Sequence, residues 1–123
     1  METGRNFDPV ALADFYGIKI ERSTTQSNSA WYQPTHTIHL PHGLDRAAER
    51  TAITYALGWA VLAEPSTDAV IDWSAQYLLP DRDLQALSEV SADWNLWARA
   101  LDVDHDFLTA YLSTIDYQKQ RLQ

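Results

Sequence analysis

The residues best suited to chemistry in this chain are histidines and carboxylates. Two short stretches, HTIHLPH (residues 36–42) and DVDHD (residues 102–106), hold all four histidines and three of the seventeen acidic residues. Imidazoles and carboxylates are common metal ligands. His36 and His39 are three apart on a predicted strand, so we expect them to point to opposite faces. A calcium loop needs further ligands and a glycine at its bend, which DVDHD lacks. Both stretches are therefore interpreted as ordinary structure, a strand edge and a loop before a helix.

Other catalytic signatures are missing. The sequence contains no nucleophile elbow, P-loop or dinucleotide fingerprint. It has no cysteine, which excludes disulfides and thiolate metal sites and makes a cytoplasmic location the expectation. The first ten residues have no signal-peptide core, and no apolar run is long enough for a membrane span. We therefore expect no membrane association.

Charge separates the two halves of the chain. The net charge is −8, and residues 64–116 hold eleven acids against Arg82 and Arg99 alone. Direct nucleic-acid binding is disfavoured, because it depends on clustered Lys and Arg. The segment LWARALDVDHDFLTAYL has the residue pattern of a helix-turn-helix, but its second helix carries no Lys or Arg. The acidic half is either a solvated surface or a face for a basic protein partner.

Five segments in a fixed order carry a family resemblance: LADFYGIKI, WYQPTHTIHLPHGL, ERTAITYALGWAVL, AVIDWSAQYLLP and LWARALDVDHDFLTAYL. Together, over about residues 11–112, they resemble the ImmA/IrrE family of metallopeptidases. The resemblance implies a zincin-like scaffold with a C-terminal helical pair. In that family one helix carries H-E-x-x-H, in which two histidines bind zinc and the glutamate activates a water molecule.

The resemblance places those catalytic positions on residues that cannot do the same chemistry. The histidines correspond to Tyr55 and Trp59, and the glutamate to Ala56. A third-ligand glutamate would fall at Thr67 or Ala69, and neither is a carboxylate. An indole has no lone pair to give a metal, and alanine cannot act as a base. We therefore expect no zinc, no cofactor and no peptidase activity.

The sequence leaves two outcomes open for the cleft that would hold the metal ion in that family. Tyr55 and Trp59, one helical turn apart, either fill the cleft as packed core or line it as an aromatic groove. Trp73 and Tyr77, four apart on the following helix, are predicted to pack on this pair.

The first hypothesis is a non-catalytic protein that binds another protein. The resemblance implies a phage or prophage regulator, either an antirepressor or a modulator of an integrase, and the acidic half suits a basic DNA-binding partner. A residual hydrolase using Asp68 and a hairpin histidine is one alternative, and a structural or self-associating domain is another. The candidate partner-binding residues are Trp94, Trp97, Asp102, Asp104 and Asp106.

These residues are positioned by a predicted α+β domain over residues 1–123, with a small antiparallel sheet of two or three strands and a helical majority. Predicted strands cover 18–22, 30–33 and 35–40, the last two as a hairpin. The predicted N-caps are Asp8 for helix 9–16, Asp45 for a helix that ends at about residue 63, Ser66 for helix 67–79, Ser91 for the helix in SADWNLWARALDV, and Asp104 for the last helix. A further helix follows Asp81, and residues 117–123 are predicted to be a frayed tail.

Overall fold

The computed structural model describes the backbone of residues 4–122 and the side chains of residues 4–115. It confirms the α+β class. The elements are β1 (Lys19–Ser23), β2 (Ala30–Tyr32), β3 (Thr37–Pro41), α1 (Pro9–Phe15), α2 (Arg46–Val61), α3 (Thr67–Leu78), α4 (Asp81–Val90), α5 (Trp94–Leu101) and α6 (His105–Leu122). None of the helices in the described residues is long and apolar enough to cross a membrane.

The sheet is mixed, which corrects the prediction of an antiparallel sheet. Its order is β1-β3-β2, with β2 antiparallel and β1 parallel to the central strand β3. The predicted hairpin is confirmed, and a 3-10 turn at Gln33–Thr35 joins its strands. Alternating side chains predict that a strand forms, but they carry no information on its partner or direction, and these depend on contacts distant in sequence.

Most helix starts follow the predicted caps. The side chains of Asp8, Asp45 and Ser66 each accept a hydrogen bond from a backbone N–H of the first turn that follows. Ser91 was the wrong cap for α5. Asp93 caps that helix by accepting from the Asn95 N–H at 2.9 Å, while the Ser91 hydroxyl accepts from the Asp93 N–H. At the other end, α6 continues to Leu122, so most of the predicted tail is helical in its backbone.

Two hydrophobic clusters form the core, and α2 lies between them. The sheet cluster is Ala13, Ile38, Leu40, Ile53, Ala56 and Leu57. The helical cluster is Ala75, Leu78, Leu79, Leu84, Trp97, Ala98, Leu101, Val103, Phe107, Leu108 and Leu112, and Tyr55 packs against it. Helix α2 therefore has one face on the sheet and another towards the C-terminal helices.

Gly58 allows α2 and α3 to approach closely. A Cβ at this position would lie 2.9 Å from Val70 Cγ1 and 3.2 Å from Trp73 Cε3. Both distances are shorter than ordinary van der Waals contact, so the missing side chain sets the spacing of the two helices. Trp73 packs over this point and lies 4.9 Å from Tyr77 between ring centroids. Trp73 also packs against the sheet cluster, and the rings of Tyr55 and Trp59 contact each other.

Arg50 is a buried cation that joins distant parts of the chain. Its guanidinium donates hydrogen bonds to the carbonyl oxygens of Gly4 at 2.8 Å, Phe7 at 2.9 Å, Leu101 at 3.1 Å and Asp102. Only 6% of the residue is exposed. Burial lowers the pKa of the Arg50 guanidinium, and the nearby Asp102 carboxylate opposes that shift.

Replacing Arg50 by methionine keeps most of the aliphatic stem but leaves four carbonyl oxygens without their donor. We expect Arg50→Met to lower the free energy of unfolding by about 3–5 kcal/mol, measured by urea denaturation. Arg99→Met on the exposed face of α5 is the matched control and should change stability by less than about 0.5 kcal/mol. Equal effects of the two substitutions would contradict this role of Arg50.

Gly58→Ala should destabilise the protein although alanine is the better helix former. Helix propensity favours alanine by about 1 kcal/mol, but overpacking against Val70 costs about 1–3 kcal/mol. Combining Gly58→Ala with Val70→Ala should cost less than the sum of the two single changes, because the second change removes the clash. Additive costs in this double-mutant cycle would show that the close contact does not limit helix spacing.

Candidate functional site

The α2 positions that the resemblance aligns with a zinc site line an open groove. Tyr55, Ala56 and Trp59 all border a cleft of about 670 Å³. Ala56 is buried in its floor, and the two aromatic side chains are half-buried. The sequence left open whether these aromatic side chains fill a core or line a groove. In the structure they line a groove.

Helix α2 supplies the groove floor in two rows. Small side chains recur every fourth residue at Ala48, Ala52 and Ala56, and the neighbouring row is Thr51, Tyr55 and Trp59. Residues four apart lie on one face of a helix, so each row runs along the helix axis. The Tyr55 and Trp59 rings meet edge to face, with centroids 6.4 Å apart and planes at 74°. The small alanine side chains leave the cleft open, and the aromatic rings border it.

Two other elements form the walls. One wall is residues 29–31, which include the start of β2, and the other is the beginning of α6 with Phe107 and Ala110. Thr51 fixes the position of α6, because its hydroxyl donates to the Ala47 carbonyl at 2.8 Å and accepts from the Asp104 N–H at 2.9 Å.

The end of the groove beside Thr51 is acidic. Asp104 and Asp106 line it, and no lysine or arginine is among the residues that line the groove. The Asp106 side chain is 98% exposed, and its nearest described ionic partner is His105, with Nδ1 3.9 Å from its Oδ1. The groove therefore runs from an acidic end at α6 to an aromatic end at Trp59.

The positions at which the resemblance would place a third ligand lie outside the groove. Thr67 is exposed at the start of α3, Ala69 is half-buried, and Asp68 is exposed. None of the three lines the cleft, and the α3 residue that does so is Ile71. Ile71 adds apolar surface to the cleft and no metal ligand.

The hairpin histidines His36 and His39 have contacts within the sheet region. His36 precedes β3 in a left-handed conformation at φ 49° rather than lying on the strand, and its ring stacks on Trp31 at 6.0 Å. His39 lies on β3, with Nδ1 3.8 Å from a Glu21 carboxylate oxygen. Within the described residues, no group of three or more histidines and carboxylates is arranged to hold a metal ion.

The five candidate partner-binding residues separate into two groups. Asp104 and Asp106 line the groove. Trp97 is 8% exposed and donates from Nε1 to the Ser91 carbonyl at 3.0 Å, and Trp94 packs half-buried against the helical cluster. The Asp102 carboxylate pairs with Arg46. These last three residues have structural contacts, so they are weak candidates for binding a partner.

Sequence reasoning missed several lining residues. The sequence analysis gave no role to Ala48, Thr51 or Ala52, which it treated as ordinary positions of an amphipathic helix. Their four-residue repeat with Tyr55 and Ala56 could have placed them on the same helix face. Phe107 and Ala110 lie some fifty residues further along the chain, and only the packing of α6 beside α2 brings them to the groove.

Trp59 and Leu57 provide a test of the open groove within one helix. Leu57 is fully buried in the sheet cluster, so Leu57→Ala should cost about 2–5 kcal/mol. Half-buried Trp59 loses less apolar contact, and Trp59→Ala should cost only about 1–2 kcal/mol despite its larger side chain. Thermal or urea unfolding measures both. A cost for Trp59→Ala above that for Leu57→Ala would indicate a closed core.

Comparison with known proteins adds no relative: family models, curated proteins and solved structures each gave no match to this chain.

Proposed function

We propose that this protein is a non-catalytic, ImmA/IrrE-like regulatory protein that acts by binding another protein in the groove of α2. The observation that carries the proposal is the placement of Tyr55, Ala56 and Trp59 along one open cleft. The positions that resemble a zinc-binding helix thus border accessible space, but they provide aromatic and methyl surface in place of ligands and a base.

The surface of the groove suits protein recognition. Half-buried aromatic side chains such as Tyr55 and Trp59 are typical binding anchors, because a partner buries large apolar area on them at little entropic cost. Asp104 and Asp106 add negative charge at one end, which favours a basic partner and speeds its association.

The biological setting in the proposal comes from the family resemblance. ImmA/IrrE-like proteins occur in phages and mobile elements, where they act on repressors or influence integration and excision. We propose the same cytoplasmic setting here, with a basic repressor or integrase as the partner. The net charge of −8 supports a basic protein and disfavours direct contact with nucleic acid.

The experiment measures binding to the products of the genes that flank this one, and the expected partner is a repressor or an integrase. The full-length protein should bind this partner. Trp59→Ala should raise the dissociation constant by about tenfold or more, because the substitution removes an aromatic anchor. Phe15→Ala is the matched control, because Phe15 is 81% exposed on α1 and does not line the groove. Its affinity should equal that of the unchanged protein.

Two results would contradict the proposal. One is a lack of binding to either neighbouring gene product. The other is stoichiometric zinc in the purified protein, with chelation removing both metal and stability, since that would favour a residual metal-dependent hydrolase.

A further inference from the structure

The negative charge of the groove has no cation beside it. Asp104 and Asp106 line the groove, and no lysine or arginine of the described residues does. The described hydrogen bonds of half-buried Asp104 involve its backbone N–H and C=O, which leaves its carboxylate open to a ligand. The groove therefore presents carboxylates that a bound cation would pair with.

Aromatic rings border the same space. Trp31, Tyr55 and Trp59 line the groove with Phe107. Trp31 stacks on His36 with planes at 26°, and His36 is not a lining residue, so the indole surface in the groove is the part that His36 leaves uncovered. The face of an aromatic ring is negative and attracts a cation within about 6 Å of the ring centroid. Rings and carboxylates thus favour the same class of ligand, an organic cation.

Tyr55 lies between the acidic and the aromatic end. One helical turn, about 5.4 Å, separates it from Thr51, whose hydroxyl accepts from the Asp104 N–H. The next turn leads to Trp59, whose ring centroid is 6.4 Å from that of Tyr55. A cation on the Tyr55 ring is therefore about one helical turn from each end.

An arginine side chain suits this site better than a lysine. Its guanidinium is planar and weakly hydrated, so it stacks on an aromatic face and pairs with a carboxylate through two hydrogen bonds. Its aliphatic stem needs apolar surface, which Ala52 and Ala56 provide on the groove floor.

We propose that the groove binds an arginine side chain of the partner protein, with the guanidinium on the Tyr55 ring between Asp104 and Trp59. This inference rests on the proposed function and specifies the group that its groove recognises. The aromatic rings then act through their attraction for a cation as well as through apolar contact.

The probe is N-acetyl-arginine amide, and the matched control ligand is the citrulline compound, which has nearly the same shape and no charge. The five tryptophans give indole N–H signals in proton–nitrogen correlation spectra of the full-length protein, assigned with single tryptophan-to-phenylalanine variants. Millimolar arginine probe should shift the Trp31 and Trp59 signals. The signal of Trp97, whose Nε1 donates to the Ser91 carbonyl outside the groove, should stay unchanged. Equal shifts with both ligands, or an unshifted Trp59 signal, overturn the proposal.

Substitutions at position 59 separate ring electrostatics from apolar contact. Trp59→Phe keeps a ring face, whereas Trp59→Leu keeps apolar surface without one. The dissociation constant of the arginine probe should rise about threefold with Trp59→Phe and about tenfold with Trp59→Leu. Phe15→Leu on α1 is the matched control and should leave it unchanged, because Phe15 does not line the groove. Equal effects of the two Trp59 variants, both folded by circular dichroism, overturn the proposal.

The carboxylates are tested in the same way. Changing both Asp104→Asn and Asp106→Asn should raise the dissociation constant of the arginine probe about tenfold at low salt, and less at high salt. Asp14→Asn on exposed α1 is the control and should have no effect. Equal affinities of the double variant and this control overturn the proposal.

The arginine probe needs no partner protein, so its result is independent of the proposed function. If a neighbouring gene product binds but the groove does not distinguish arginine from citrulline, only this inference fails. If the probe binds as expected and no neighbouring gene product does, only the proposed function fails.

Discussion

The buried guanidinium of Arg50 holds together segments that the sheet and the helices leave separate. It lies on α2 and bonds carbonyl oxygens near the N-terminus and at the turn between α5 and α6. Burying a cation is costly unless its donors are used, and here the four acceptors come from backbone that packs around α2 only in the folded protein. The position of α6, and hence one wall of the groove, depends on this network.

Helix α2 also explains why a core helix borders an open cleft. Ile53 and Leu57 point into the sheet cluster, and Gly58 meets α3, so two of its faces are covered. The remaining face carries Thr51, Tyr55 and Trp59, and the alanines beside them are too small to reach the walls. A cleft remains between β2, which is an edge strand, and the first turns of α6, where Phe107 and Ala110 border it.

The sequence predicted the elements well where local chemistry decides them. Asp8, Asp45 and Ser66 cap helices as expected, since a side-chain oxygen next to free N–H groups acts within one turn. It failed at Ser91, where Asp93 lies closer to the first turn of α5 and competes for the same N–H groups. It also failed on the direction of β1, because the pairing of Lys19 with Thr37 joins residues distant in the chain, with β2 between them.

The sequence by itself determined that Tyr55, Ala56 and Trp59 occupy one helical face and lack the chemistry of a zinc site, because residue type and a period of 3.6 are local properties. It could not determine whether these side chains are covered. That depended on contacts between residues about fifty positions apart, such as the bond from the Asp104 N–H to Thr51, and on the sheet order that leaves β2 at the edge. Only the tertiary structure therefore decided that this surface is a groove with an acidic end and an aromatic end.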